Sequence, residues 1–203
     1  AAIGNPYASR VSISSLQMTG LQDFIYIWDP KIAGAYSLGG FQTLQKISGV
    51  WKFPISLGGS YPSGINVPMD SIESGQAFFV RAQTAGASIT FKESSKATGS
   101  HDVNFTAGQP SSLIAVLKNA AGEGVDAAAV QYDDQNSNSI DFGDALKMSN
   151  TSENVSIKSS SLLAIEQRKN VTATDTVHLN VTGYKIGSYQ WNFKLVNMDA
   201  PGL

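Results

Sequence analysis

Phe24-Ile25-Tyr26-Ile27-Trp28-Asp29-Pro30 is the stretch on which the fold turns. Residues 24–28 are all β-formers, and strand alternation puts Phe24, Tyr26 and Trp28 on one face and Ile25 and Ile27 on the other. Both faces are apolar, which predicts a central strand covered on both sides. Asp29-Pro30 ends it, because proline has no amide hydrogen for the ladder. Working outward, Trp51, Phe53 and Ile55 alternate and stop at Gly58-Gly59 and a turn-rich stretch to residue 66. Residues 76–82 and 87–92 read as a hairpin around Ala85-Gly86. Further strands are expected at 112–118, 127–132, 154–159, 162–167, 176–182 and 188–196. The last two alternate cleanly, with Val177, Leu179 and Val181, then Tyr189, Trp191, Phe193 and Leu195, expected to point inward. One helical turn is expected at 142–148. Short strands at this spacing predict an all-β protein of the antiparallel β-sandwich class. The small polar residues 94–102 read as a linker between two tandem sandwich-like modules, 1–95 and 96–203; the alternative is one larger sandwich with a shared core.

Composition narrows the function. The chain has 203 residues, 42% hydrophobic and only 15% charged, with 14 Lys+Arg against 16 Asp+Glu. A formal charge of −2 is a poor electrostatic footprint for nucleic acid, which needs clustered Lys and Arg. Without Cys there can be no disulfide framework, thiolate zinc site or Cys nucleophile, and such usage fits an exported bacterial protein. No apolar run approaches the roughly 20 residues of a membrane span. Residues 1–7 lack the basic start and apolar run of a signal peptide, so the chain reads as a piece excised from something longer.

Five ordered motifs resemble a known region. Gly4-Asn5-Pro6-Tyr7, then Ile25-Tyr26-Ile27-Trp28-Asp29-Pro30 with Gly34-x-Tyr36, and Ile72-x-Ser74-Gly75-Gln76-Ala77-Phe78-Phe79-Val80 come first. Ile89-Thr90-Phe91-Lys92-Glu93 and Asp141-Phe142-Gly143-Asp144-Ala145-Leu146-Lys147-Met148 follow. Together they resemble the β-rich region near the C-terminus of large secreted Bacteroidetes proteins, ahead of their type IX secretion sorting domain. The chain departs from that pattern at residues 10–16, which lack an Asp-Trp pair, and at residues 138–141, where Gly-Phe-Asp is usual. The resemblance implies an exported or cell-surface origin, an all-β fold and no catalytic residues. It also implies O-glycosylation at Asp-Ser/Thr-aliphatic triplets, which Ser71 and Thr176 fit in Asp70-Ser71-Ile72 and Asp175-Thr176-Val177.

Few residues propose chemistry. Between Glu123 and Asp144 there are six carboxylates and no Lys or Arg. Asp134, Asn136, Asn138 and Asp141 offer hard oxygen ligands that would suit calcium, though without the glycine and bidentate glutamate of an EF-hand. The competing reading is a polar turn in which Asp141 caps the turn that follows. Gly122-x-Gly124-x-x-Ala127 mimics a dinucleotide loop, but no helix can follow it, so a hairpin is expected. Ser100-His101-Asp102 has triad residue types, but as neighbours they cannot make triad geometry. His178 is expected on a solvated strand face. Among the aromatics, Trp28, Trp51 and Trp191 are expected in the core, while Tyr36 and Tyr61, beside Gly-rich turns, are candidates for ligand binding.

The leading functional expectation is a non-enzymatic, extracellular or cell-surface module of a larger secreted protein, with a spacer or adhesion role. Its partners would be neighbouring domains of a longer chain and a surface polysaccharide or cell-surface protein, and the module itself would be monomeric. A carbohydrate-binding module using Tyr36 and Tyr61 is the alternative. A small β-sandwich glycoside hydrolase is the third reading, and would need two carboxylates about 5–10 Å apart in a cleft.

Overall fold

A computed structural model describes residues 1–97, 110–172 and 174–198. In chain order the first half forms β1 (Ala2–Gly4), β2 (Val11–Ser12), β3 (Gln17–Thr19), β4 (Phe24–Asp29), β5 (Gly40–Ile47), β6 (Val50–Ser56), β7 (Gly64–Pro68), β8 (Ser71–Ile72), β9 (Ala77–Phe79) and β10 (Ser88–Thr90). The second half forms β11 (Ser111–Lys118), β12 (Gly124–Tyr132), β13 (Ala145–Leu146), β14 (Asn154–Lys158), β15 (Leu162–Arg168), β16 (Leu179–Thr182) and β17 (Gln190–Val196). Apart from two short 3-10 turns, at Ile13–Ser15 and Glu93–Ser95, the regular structure is all strand.

Two sheets carry the architecture. The first runs β1-β9-β4-β5-β6-β7, with two-stranded pairs β3/β10 and β2/β8 beside it. The second runs β16-β14-β15-β12-β11-β17, with β13 also on β15. Pairing is antiparallel except for β12 and β15, which run parallel. A parallel neighbour needs a crossover, and the chain makes it through β13 and β14 rather than through a helix.

Strand β4 behaves as its sequence requires. It sits inside the first sheet, between β9 and β5. Ile25 and Ile27 enter a core with Val11, Ile13, Leu44, Trp51, Phe53, Ile72 and Phe78. Phe24 and Tyr26 face the other way and pack on Ala145 and Ile165 of the second half. Ile55, Leu57 and Ile65 likewise meet Ile114, Val116 and Ala129 across the halves. The outer face of the second sheet closes on Leu117, Val125, Ala128, Val130, Val155, Ile157 and Leu163. Each half therefore has a core of its own, and the two share a third apolar layer between the sheets.

Polar groups lock that shared layer. The buried amides of Gln45 and Gln131 exchange two hydrogen bonds, Nε2 to Oε1 at 2.9 Å and 2.7 Å. Gln22 Nε2 donates to the Phe142 carbonyl at 3.0 Å, and the Phe41 amide donates to Asn150 Oδ1 at 2.8 Å. These bonds fix the rotation of one sheet on the other, which apolar packing alone leaves loose.

Several local expectations are corrected. The hairpin around Ala85-Gly86 does not form, because β9 pairs with β1 and β4 while β10 pairs with β3. Residues 142–148 make a turn into β13 instead of a helical turn, since Ala145 and Leu146 find partners on β15. The first part of the expected linker is ordered: Ser95 is buried, and the Ala97 amide donates to the Arg10 carbonyl at 3.0 Å. Residues 98–102 lie outside the described residues. Trp191, expected in the core, is 39% exposed, with Phe193 at 56% and Leu195 at 47%. They share one face of their strand as alternation requires, but it is the outer face of the second sheet, and on its last strand they stay partly exposed. The Gly122–Gly124 segment is the expected turn of the β11/β12 hairpin.

Candidate functional site

The polar residues of the resembling motifs are turned towards backbone. Asn5 Nδ2 reaches the carbonyls of Ser9, Ile72 and Glu73 at 2.9, 3.1 and 3.1 Å, and its Oδ1 accepts from the Tyr7 amide at 3.0 Å. Asp29 is buried at the end of β4. Its oxygens accept from the amides of Lys31 and Ser60, from Ser60 Oγ and from Gln42 Nε2, at 2.8–3.0 Å. Gly59 has to be glycine: its φ is +75°, and a Cβ there would lie 2.5 Å from Asp29 Oδ2. Asp144 accepts from the amides of Asp141 and Gln167, both at 2.8 Å, and burial raises its carboxyl above the ordinary range against those two donors.

A buried ion pair lies between the sheets. Lys147 Nζ contacts Asp126 Oδ1 and Oδ2 at 2.7 Å and 2.6 Å, with side chains 6% and 2% exposed. Burial raises the Asp126 carboxyl, and the Lys147 ammonium and the amides of Val155 and Ala127 oppose that rise.

The Gly34-x-Tyr36 motif meets the second half at Glu153. The Ala35 amide donates to Glu153 Oε2 at 2.9 Å, and Tyr189 Oη donates to Oε1 at 2.7 Å. Burial would raise the Glu153 carboxyl, but these donors outweigh it and leave it below its ordinary value. Lys185 Nζ donates to the Ala35 carbonyl at 2.8 Å and stands 3.9 Å from the centre of the Tyr36 ring. Tyr36, 54% exposed, thus has one ring face occupied by an ammonium.

The other residues proposed from sequence are dispersed. Tyr61 is half-buried, its ring 4.9 Å from that of Phe53 and its hydroxyl accepting from Gln76 Nε2. Asp134 is exposed. Asn136 donates to the Arg168 carbonyl, Asn138 accepts from the Lys169 amide, and Asp141 Oδ1 accepts from the Gly143 amide. These side chains serve separate turns, and no group of three or more metal-ligating side chains gathers among the described residues. Ser71 is half-buried in β8, whereas Thr176 and His178 are exposed. Ser100, His101 and Asp102 lie outside the described residues.

What sequence reasoning missed is a groove of about 440 Å³ where the ends of the two sheets diverge. Its apolar floor comes from Ile55, Leu57, Ile65, Ile114 and Val116, and its rim carries Lys31, Lys118, Lys194 and Glu123. The ammonium groups of these three lysines make no ion pair or hydrogen bond among the described residues. The volume lies in the range of ligand pockets. No local signal marks this groove, because its walls come from β6 and β7 of the first half and β11 and β17 of the second. None of the described residues forms a helix long and apolar enough to cross a membrane. No protein-family model, curated protein or solved structure matches the chain.

Proposed function

We propose that this chain is a non-enzymatic, extracellular module of a larger secreted protein, with a spacer or adhesion role. One observation carries the reading: the polar residues of the resembling motifs, Asn5, Asp29 and Asp144, are spent on backbone hydrogen bonds that close loops and strand ends. Residues so used build a stiff frame rather than a reacting centre, which supports the reading. Two sheets locked by Gln45, Gln131, Gln22 and Asn150 suit a part that must hold its shape between neighbours. The test is a reducing-sugar assay on a panel of polysaccharides, run beside deletion of residues 1–203 from the parent protein. No sugar release, with surface attachment lost and export retained, is the expected result. Release of reducing ends that disappears when one buried carboxylate is replaced would overturn the reading.

Carbohydrate binding is the second reading, favoured by the exposed rings of Tyr36, beside Lys185, and of Tyr184, beside Tyr189. Tyr61 adds little to it, since its ring is packed on Phe53. Binding of an immobilised glycan by the wild-type chain and not by Tyr36→Ala is the result this reading requires.

A further inference from the structure

Strand β17 presents an unpaired edge with chemically different faces. It pairs with β11 over Gln190–Val196, and no strand among the described residues pairs with its other side. An edge strand points every second set of N–H and C=O groups outward, ready to pair with another chain. On one face stand Trp191, Phe193 and Leu195, opposite Leu117, Ala115 and Leu113 of β11. The Trp191 and Phe193 rings stack with centres 5.5 Å apart and 14° between planes. On the other face stand Asn192 and Lys194, opposite Val116 and Ile114, and both line the lysine-rimmed groove.

We propose that β17 is a docking edge for an extended segment of a partner protein in which acidic and apolar residues alternate. A strand added there continues the pleat. Its apolar residues fall beside Trp191, Phe193 and Leu195, and its acids fall beside Lys194 and face Lys118 and Lys31. One occupant thus suits two features of this edge: a partly exposed aromatic face and three lysines without an ion-pair partner among the described residues. Lysine on an open edge is a common defence against unwanted pairing, and it selects for an acidic strand rather than excluding every strand.

Other occupants fit less well. If two copies of β17 pair antiparallel about Phe193, Lys194 meets Asn192 of the copy, and six lysines gather along one face against only the two Glu123 carboxylates. A sugar would need open ring faces, yet Trp191 and Phe193 cover one another and the groove has no aromatic lining. The proposal goes beyond the spacer reading and does not depend on it, since the edge would accept its strand whatever the parent protein does.

The test uses fluorescence anisotropy with a labelled seven-residue peptide of alternating valine and glutamate. Controls are the valine–lysine counterpart, an acidic peptide N-methylated at alternate amides, and polyglucuronate as competitor. The expected result is binding of the acidic peptide at least about tenfold tighter than either control peptide, weakening as salt rises. Lys194→Glu should weaken it about tenfold with an unchanged melting temperature, because Lys194 is exposed. Amide hydrogen exchange across residues 190–196 should slow when the peptide is added, a readout independent of the variant. Equal binding of the basic or N-methylated peptide, no effect of Lys194→Glu, or binding of polyglucuronate in place of the peptide would overturn the proposal. So would a dimer in analytical ultracentrifugation in which exchange over residues 190–196 is already slow.

Discussion

Replacing Lys147 with methionine tests the energetics of the shared layer most directly. The ammonium and the Asp126 carboxylate are in two-point contact at 2.7 Å and 2.6 Å, both almost wholly removed from water. Methionine keeps most of the chain length and removes the charge, which leaves a carboxylate in an apolar layer with only amide donors. Stranding one partner of a buried pair costs roughly 3–5 kcal/mol. At about 2–4 °C per kcal/mol for a chain of this size, the melting temperature should fall by roughly 6–20 °C. Urea unfolding followed by tryptophan fluorescence reads the loss at 25 °C. The double variant Asp126→Leu with Lys147→Met should recover most of it, because two apolar groups need no pairing. The sign with pH is fixed by Asp126, whose carboxyl is raised by burial. A raised folded value favours stability below the ordinary carboxylate range and loses it as pH climbs through the folded value. Without Lys147 only the amides oppose the rise, so the penalty of Lys147→Met should be smaller at pH 5 than at pH 7.5. A loss below about 1 kcal/mol, or one that does not change with pH, refutes the reasoning.

Four shorter predictions concern other parts of the frame. Gln131→Leu strands the buried Gln45 amide and should cost about 1–3 kcal/mol in the same urea assay, whereas an unchanged midpoint would mean that the reciprocal pair carries no weight. A protease site placed within residues 98–102 should yield fragments that co-elute on gel filtration after cleavage, because the halves share apolar clusters; separation into two folded fragments would refute this. Calcium at millimolar concentration should leave the melting temperature unchanged, since Asn136, Asn138 and Asp141 already serve separate turns; a rise reversed by chelator would show native-state binding. Glu153 is held below its ordinary value, so its stabilisation is present above pH 4.5 and lost as pH falls through the folded value. The stability gap between wild type and Glu153→Gln should therefore be widest at neutral pH and close in acid, and a gap that stays constant argues against a stabilising role for the bonds from Ala35 and Tyr189.

How much of this was legible depends on whether local or distant residues decide a feature. Strand β4 was legible because residues 24–30 carry two apolar faces and a stop. Val177, Leu179 and Val181 pack on the second core as alternation requires. The hairpin at Ala85-Gly86 failed because a good turn dipeptide cannot fix a partner: β1 and β4 out-compete β10 for β9. The parallel pair of β12 and β15 was likewise invisible, since nothing in either strand records the direction of its neighbour. Of the residues proposed to bind, the Asx turns were readable as turns. The lysines of the groove were not, because Lys31, Lys118 and Lys194 converge only when two sheets meet. Strand β17 separates the two kinds of information most sharply. Its alternation correctly put Trp191, Phe193 and Leu195 on one face with Tyr189, and Tyr189 does pack on the second core. Alternation assigns a face, but whether that face is dry depends on a next strand, and the described sheet ends at β17. Two aromatics and a leucine on a face that the described residues leave partly open fit the docking edge proposed for β17. On that proposal the lysine between Phe193 and Leu195 favours a neighbour carrying acids.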